Sequence, residues 1–398
     1  MSKRLEFPKD FFWGAATASF QVEGQIDNTD WSKAGRDGKV PLVNSGPEHY
    51  AKYKSDFDLA KELGHNSHRL SIEWARIEPE EGKFDLKEVE HYREVLQYLH
   101  KNNLTPFVTL WHFTLPLWLS EKGGIENKKF PEYFARYCEF VVSHLADECS
   151  HWATMNEPNV ITSNGWMRGN WPPFKKYRIF KASKVLRKLV KAHILAYKKI
   201  KTKDLASEVG IVKDNIYVHS NVNPVYRLGF ATFRWFWNFK FLNKIKHHLD
   251  SIGLNYYFHY HLGIRRTIRD KSDMGWELYP EGIYHTLMEL KKYEKPVFVA
   301  EAGIADEKDK YRGQYIKDLV YWTHKAIADG VDVKGFMYWS LLDNFEWALG
   351  YGKRFGLIGI DYESEEKTRT VRSSSYEYKK ICQENALVID DGGPNVCE

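Results

Sequence analysis

The chain has 398 residues, of which 43% are hydrophobic and 15% are aromatic. This is more than one β-sandwich or half of a dinucleotide-binding fold needs, so either two domains or one large α/β barrel fits the length. The formal net charge of +5 is mild and does not by itself indicate a nucleic-acid partner.

Strand-like hydrophobic runs alternate with helical patterns along the chain, and no glycine-serine linker or short repeat divides it. This alternation is typical of a parallel sheet with crossover helices. The predicted strands are Phe12 to Ser19, His68 to Trp74, Pro106 to His112, Trp152 to Asn156, Val209 to Val212, Ile252 to Tyr257, Val297 to Glu301 and Gly335 to Ser340, of which the fifth has the weakest pattern. The predicted helices are Tyr50 to Leu63, Asp85 to His100, Pro131 to Cys149, Ala182 to Ala206, Ala231 to Leu249, Ile283 to Tyr293, Tyr311 to Ala328 and Ser374 to Gln383.

The helix that begins at Asp85 has the clearest local pattern. Asp85 and Glu88 have the spacing of a capping box, and one apolar stripe follows at Val89, Tyr92, Leu96 and Leu99. Eight strand–helix units in an undivided chain predict a single (β/α)8 barrel, an α/β TIM barrel, over residues 1–385, with a flexible tail at 386–398. In that fold, the functional site lies at the C-terminal ends of the strands.

Two predicted strands end in a glutamate. The fourth strand is followed by Glu157 and is stopped by Pro158, which cannot donate to a sheet ladder. The seventh strand ends in Glu301, followed by the small residues Ala302 and Gly303. A lone glutamate at a strand end is more often a surface charge. Two carboxylates on different strand ends, however, are what cleavage of a glycosidic bond requires.

The other strand ends carry polar groups and tryptophans. They are Gln21, Arg69, His112, Asn156, Asn255, Tyr257, Trp339, Glu346 and Trp347. Polar groups bind sugar hydroxyls, and aromatic faces meet the C–H faces of a sugar ring. A lone histidine or tryptophan is more often a core residue, so the prediction of a sugar pocket depends on the whole set.

Six segments resemble the motifs of the retaining β-glycosidases of glycoside hydrolase family 1. They are residues 11–24, 69–74, 154–158, 253–257, 301–303 and 339–347, in the family's order. The resemblance implies an exo-acting, retaining β-glycosidase of the β-glucosidase type that also accepts β-galactosides or β-fucosides. It implies no metal or organic cofactor.

Carried over residue by residue, the resemblance implies that Glu157 is the general acid/base and Glu301 the nucleophile, about 5–5.5 Å apart. Arg69, Asn255 and Tyr257 match residues around the nucleophile. The implied substrate-binding residues are Gln21, His112, Asn156, Trp276, Trp339, Glu346, Trp347 and Phe355. Among them, Trp339 matches the platform under the sugar ring, Trp276 an aglycone-side wall and Phe355 an aromatic near C6.

Three features depart from the family's pattern. Ala300 and Ala302 flank the nucleophile where the family has threonine and asparagine, which predicts an altered orientation of Glu301. Phe113 replaces a tryptophan, and the segment between Val212 and Ile252 is short, which predicts a wider cleft and looser aglycone selection. These departures leave an alternative open, a catalytically degraded sugar-binding barrel that acts as a sensor or interaction module. Glu346 argues against a phospho-sugar enzyme, and Glu157 argues against a thioglucosidase without an acid.

The expected partners are small-molecule β-glycosides or short oligosaccharides, with no nucleic acid and no membrane. The stretch from Lys175 to Lys203 holds 12 Lys or Arg residues and no acid, but its apolar stripe predicts an outer barrel helix with a solvated face. The four cysteines, Cys138, Cys149, Cys382 and Cys397, form no C-x-x-C pair and resemble the free thiols of a reducing compartment. With no apolar leader segment, we expect a cytoplasmic protein. The oligomeric state is not predicted.

Overall fold

The protein is built around a closed barrel of eight parallel strands. The computed structural model describes residues 3–220, 224–262 and 269–389. The barrel strands, named β1 to β8, are Phe12–Ala16, Ser67–Ser71, Thr105–Thr109, His151–Asn156, Glu208–Asp214, Ile252–Tyr256, Val297–Ala302 and Val333–Trp339. They pair in chain order, and β8 pairs with β1 to close the ring. The predicted (β/α)8 barrel is therefore confirmed.

Aromatic rings fill the N-terminal end of the barrel. Phe107 stacks on His151 with ring centroids 4.4 Å apart and meets the edge of Phe298 at 5.0 Å. Phe12 and Met337 pack in the same cluster. Because this packing blocks the N-terminal end, access from solvent is from the C-terminal ends of the strands.

Helices surround the barrel, as the sequence pattern predicts. The α-helices are Ser19–Val22, Asp30–Arg36, His49–Glu62, Trp74–Ile77, Leu86–Lys101, Leu117–Glu121, Phe130–Leu145, Pro158–Ser163, Ile179–Lys203, Pro224–Arg234, Lys240–Ile245, Gly282–Leu290, Arg312–Ala328 and Ser373–Glu384. Short 3-10 turns lie at Gly124–Glu126, Lys291–Tyr293 and Trp347–Leu349, and π-helical turns lie at Asn164–Arg168 and Trp235–Phe239. In place of the predicted helix Ala231 to Leu249, the structure has two α-helices, Pro224–Arg234 and Lys240–Ile245, joined by the π-helical turn Trp235–Phe239.

Two of these helices test specific predictions. In Leu86–Lys101 the predicted stripe is buried, and the Asp85 side chain accepts a hydrogen bond from the Lys87 N–H. The predicted capping box is wrong, because Glu88 does not accept a hydrogen bond from the N–H of Asp85. That N–H donates to the Ile77 carbonyl, and Glu88 accepts a hydrogen bond from the Tyr50 hydroxyl. In the basic helix Ile179–Lys203, the residues Val185, Leu189, Ala192 and Ala196 are buried, as expected of an outer barrel helix.

The predicted boundary of the C-terminal tail at residue 386 is wrong. Ala386–Ile389 is a strand that pairs antiparallel with Lys3–Glu6, because its apolar residues Ala386 and Leu387 are buried there. Residues 390–398 lie outside the described residues. Two further pairs are Tyr217–Ser220 with His259–Leu262, parallel, and Ile358–Ile360 with Arg369–Val371, antiparallel.

Three of the four cysteines fall within the described residues. Cys138, Cys149 and Cys382 are free thiols and buried. In the described ranges, no helix has the length and apolar character needed to cross a membrane.

Candidate active site

Glu157 and Glu301 lie at the C-terminal ends of β4 and β7 and line the same cavity. Glu157 follows the last residue of β4 in a left-handed conformation, with φ 42° and ψ 65°, and its N–H donates to the Val212 carbonyl of β5 at 2.9 Å. This turn directs the chain into the helix Pro158–Ser163. Gly303 lets β7 pass close to β8, because a Cβ there would lie 2.1 Å from the Trp339 carbonyl oxygen.

The carboxylate of Glu301 is held by one side chain from β2 and one from the residue that follows β6. Arg69 of β2 donates to Oε1, and the hydroxyl of Tyr257 donates to Oε2 at 2.5 Å. Burial and the charge of Glu301 raise the pKa of Tyr257 well above its ordinary value, so the hydroxyl keeps the proton that it donates. Because both carboxylate oxygens are fixed in this way, the orientation of Glu301 does not depend on hydrogen bonds from Ala300 or Ala302.

The carboxyl group of Glu157 is in a different environment. It is buried, and Oε1 accepts a hydrogen bond from Asn255 Nδ2 at 2.7 Å. Burial, then the charge of Asp214, then that of Glu301 raise the pKa of Glu157 well above its ordinary value. Glu157 is therefore suited to carry a proton at neutral pH, whereas Glu301 lies against a guanidinium group.

The assignment of Asn255 to the nucleophile is wrong. Its backbone pairs with both Asp214 and Glu301, but its side-chain amide extends to Asn156 Oδ1 at 3.3 Å and to Glu157 at 2.7 Å. Asn255 therefore positions the carboxyl group of Glu157.

Asp214 is a third buried carboxyl group at the site, and the sequence interpretation missed it. Its Oδ1 lies 2.9 Å from Lys213 Nζ, and its Oδ2 accepts a hydrogen bond from Trp237 Nε1 at 2.6 Å. Burial raises the pKa of Asp214. The predicted fifth strand stops at Val212, whereas β5 continues to Asp214. The signal that could have found it is the Lys-Asp-Asn run directly after Val212, which places an acid at the strand end.

Several buried polar atoms in the cavity wall have no partner among the described residues. Gln21 Nε2 donates to Asn344 Oδ1 at 2.9 Å and to the Phe345 carbonyl at 2.8 Å, which leaves Oε1 unpaired. His112 Nε2 lies 3.3 Å from Asn156 Nδ2, and Nδ1 is unpaired. Burial, and then the charge of Arg69, hold the pKa of His112 well below its ordinary value, so the ring is neutral. Buried polar atoms rarely lack partners, so these atoms are candidates for contacts with a ligand.

Aromatic rings form much of the remaining wall. The His112 ring is nearly parallel to Trp339, with centroids 6.1 Å apart, and to Trp347, with centroids 6.0 Å apart. Phe113, which stands where the family pattern has a tryptophan, packs edge-on against Trp347, with ring centroids 5.1 Å apart. Trp276 lies 5.9 Å from the Tyr257 ring.

The remaining predicted residues are close by. Phe355 meets the Tyr257 ring edge-on at 6.2 Å and packs with Trp339. Burial, and then the charge of Glu301, raise the pKa of Glu346 to about 8.

The cavity that these residues enclose has a volume of about 1070 Å³. Every residue predicted for the site lines it except Arg69, which lies behind Glu301. Within the described ranges, no group of three or more His, Cys, Asp or Glu side chains is arranged to hold a metal ion.

Comparison with known proteins agrees with this geometry. The sequence pattern of glycosyl hydrolase family 1 matches residues 3–225 and 257–387. The chain belongs to this family. β-Glucosidase A of Thermotoga maritima is 32% identical to it, over 96% of this chain and 99% of that protein. β-Galactosidase of Saccharolobus solfataricus is 31% identical, over 96% of both.

Solved structures agree as well. The β-glycosidase from Pyrococcus horikoshii superposes with a TM-score of 0.91 at 35% identity, over 97% of this chain and 96% of that chain. The 398-residue chain, as a member of family 1, is therefore a glycoside hydrolase. The family pattern does not match residues 226–256, most of which lie in the short region between Val212 and Ile252.

Proposed function

We propose that the protein hydrolyses terminal β-D-glycosidic bonds with retention of configuration, with Glu301 as nucleophile and Glu157 as general acid/base. The observation that carries the proposal is the contrast between the two carboxyl groups. Arg69 and Tyr257 hold both oxygens of Glu301, while burial and neighbouring charges raise the pKa of Glu157. A retaining glycosidase needs one carboxylate that attacks and one carboxylic acid that donates a proton.

In the first step, a Glu301 oxygen forms a bond to the anomeric carbon as the glycosidic C–O bond breaks. The leaving oxygen takes the electron pair of that bond and the proton of Glu157. In the second step, the Glu157 carboxylate takes a proton from water, the water oxygen bonds to the anomeric carbon, and the ester electrons return to Glu301. Two inversions give net retention.

The charge of Asp214 affects the second step. Ester formation removes the charge of Glu301, so one cause of the raised pKa of Glu157 is lost and Glu157 can act as a base. Ester formation leaves Asp214, the other neighbouring acid, in place, so the decrease in this pKa is smaller than it would be with Glu301 as the sole neighbouring acid.

The unpaired atoms of the inner wall suit a sugar that is rich in hydroxyl groups. Gln21 Oε1 can accept a hydrogen bond, and His112 Nδ1 can donate one if Nε2 accepts from Asn156. Trp339 offers an aromatic face to the ring. We propose β-glucosides as the preferred substrates, with β-galactosides and β-fucosides also accepted. The relatives named β-glucosidase and β-galactosidase support this range.

The test is release of nitrophenol from nitrophenyl β-glucoside, β-galactoside and β-fucoside, with the first-formed anomer followed by NMR. We expect the β-anomer first, and loss of activity by about 1000-fold or more in Glu301→Gln, since the nucleophile is removed. The α-anomer first would refute the retaining mechanism. Glucose binding without turnover would favour the alternative of a degraded sugar-binding barrel.

A further inference from the structure

The N-terminal end of the helix Ile179–Lys203 exposes apolar side chains to solvent. Tyr177 is 77%, Ile179 64% and Phe180 88% exposed, and no other large hydrophobic side chain in the described part of the chain is as exposed as Phe180. A single exposed hydrophobic residue is common on a protein surface, whereas three within four residues form a patch. Such a patch marks a contact surface.

The exposed face of the same helix is basic. Side chains at helical spacing form one exposed stripe, which we call the basic face: Phe180, Lys184, Arg187, Lys191, Leu195 and Lys198. Its four cations, and also Lys176 and Arg178 on either side of Tyr177, form no ion pair within the ranges that the structure describes. Other lysines of this segment, by contrast, pair with Glu126 or Glu139. The charge of the basic face is therefore not neutralised by the protein itself.

A second exposed apolar segment lies beside the basic face. Its exposed side chains are Leu228, Phe233 and Trp235. The helix that follows, Lys240–Ile245, packs against Ile179–Lys203, and Phe233 and Ile179 border the same cavity. The two segments thus contribute to one surface. Phenylalanine, leucine and tryptophan beside lysine and arginine are typical of helices that lie in a membrane interface.

Three kinds of partner could cover a basic surface, and the apolar residues distinguish them. A nucleic acid offers phosphates to the cations and bases to aromatic rings, but no apolar phase to Ile179 or Leu228. A second copy of the chain in a symmetric dimer would bring two such basic surfaces together, which is unfavourable. An anionic bilayer matches both features, since its headgroups attract the cations and its hydrocarbon boundary receives the apolar side chains.

We propose that this surface binds the face of a bilayer that contains anionic lipids, with the basic face along the headgroups and Phe180 in the hydrocarbon boundary. The sequence pattern of this helix predicts a solvated face and no membrane partner, because it shows the buried stripe but not the exposure of Tyr177, Ile179 and Phe180. The inference does not rest on the proposed function, since binding to vesicles is measured without a substrate.

The experiment measures the partition of the full-length protein onto sedimented vesicles of two compositions, at about 0.1 M salt. One is phosphatidylcholine alone, and the other contains about one-third phosphatidylglycerol. We expect partition onto the anionic vesicles to be stronger by about 100-fold or more, since several cations each contribute about fivefold. Added salt should weaken it, because salt screens the attraction between exposed charges.

Two variants separate the two contributions. Lys184→Gln/Arg187→Gln removes two cations and should weaken partition onto the anionic vesicles by about 30-fold. Phe180→Gln removes the inserted ring and should weaken it by about tenfold at every salt concentration. The three positions are exposed and lie outside the cavity, so hydrolysis of nitrophenyl β-glucoside should be unchanged and reports that the variants are folded.

Matched controls lie on other helices. Lys54→Gln/Lys61→Gln removes two exposed cations of His49–Glu62 that, in the described chain, likewise form no ion pair. Tyr376→Gln removes an exposed aromatic ring from Ser373–Glu384. Both controls should bind the anionic vesicles as the wild type does.

Equal partition onto the two kinds of vesicle, or none onto either, would overturn the inference. So would controls that weaken binding as much as the variants of the basic face do. Tighter binding to a DNA duplex than to the anionic vesicles, unaffected by Phe180→Gln, would assign the surface to nucleic acid instead. If the wild type without vesicles sediments as a dimer and Phe180→Gln as a monomer, the surface is a contact between copies of the chain and the inference is wrong.

Discussion

Replacement of Asp214 by asparagine should move the alkaline limb of the activity profile to lower pH. The charge of Asp214 is the largest cause after burial of the raised pKa of Glu157. Asparagine keeps the shape of the side chain and can still accept the hydrogen bond from Trp237, but it carries no charge. In the proposed mechanism, glycosidic cleavage needs protonated Glu157, so kcat/KM should decrease as pH rises through this pKa, and the decrease should begin at lower pH in Asp214→Asn.

The size of the shift follows from the position of Asp214 in the barrel. Neighbouring strands lie about 4.8 Å apart, so carboxyl groups on adjacent strand ends are roughly 6 Å apart. At that distance and an effective dielectric constant of about 20, two charges interact by about 2.8 kcal/mol, or about 2 pKa units. Lys213 Nζ, which lies 2.9 Å from Asp214 Oδ1, opposes this effect. We therefore expect a shift of about one pKa unit.

The assay is kcat/KM for nitrophenyl β-glucoside from about pH 5 to about pH 10, because this parameter reports the pKa values of the free enzyme. Trp237→Phe is the control, since it removes the hydrogen bond to Asp214 Oδ2 without removing the charge. If Asp214→Asn leaves the alkaline limb in place, or if Trp237→Phe moves it equally far, the charge of Asp214 does not set the pKa of Glu157.

Three further predictions concern single side chains of the cavity. Tyr257→Phe removes the donor 2.5 Å from Glu301 Oε2 and should lower kcat by about 10- to 100-fold, as for loss of a hydrogen bond to a charged group; an unchanged kcat would contradict this role. Gln21→Leu removes the unpaired Oε1 and should lower kcat/KM for nitrophenyl β-glucoside by about tenfold; if Gln21 has no sugar contact, the value will equal that of the wild type. Glu346→Gln should stabilise the fold relative to wild type as pH rises from the ordinary glutamate pKa of 4.5 to about 8, because over this range Glu346 ionises in the unfolded wild-type chain but stays protonated in the folded protein. In thermal unfolding at high pH, the free energy of unfolding of Glu346→Gln should exceed that of wild type by about 2 kcal/mol. This is less than the full shift in pKa implies, because the Glu346 side chain is only partly buried. A difference that is equal at low and high pH would refute this prediction.

The barrel and the two glutamates could be predicted because their signals are local. Each barrel strand is a short hydrophobic run, and Glu157 and Glu301 directly follow or end such runs, so chain order alone places both at the same rim. The contacts of Arg69 and Tyr257 with Glu301 were also expected, because the family resemblance places both residues around the nucleophile.

The details that failed depend on tertiary contacts. The family resemblance placed Asn255 around the nucleophile, but its side-chain amide donates to Glu157, on another strand end. Glu88 has the spacing of a capping box, yet the Tyr50 hydroxyl from another helix binds it. Asp214 was missed because β5 extends beyond its hydrophobic run, supported by pairing with β6. No local pattern shows the contacts of Asn255 and Glu88, whereas the Lys-Asp-Asn run after Val212 is a local signal for an acid at the end of β5.

The pairing of Lys3–Glu6 with Ala386–Ile389 brings the two ends of the described chain together at one edge of the molecule. A new peptide link between the ends would therefore need to span only a short distance, and the chain could be reopened at a surface loop elsewhere. Circularly permuted forms of this protein should fold with the cavity unchanged, since none of the residues that line it belongs to either terminal strand. Conversely, removal of either terminal strand would expose the hydrogen-bonding edge of the other.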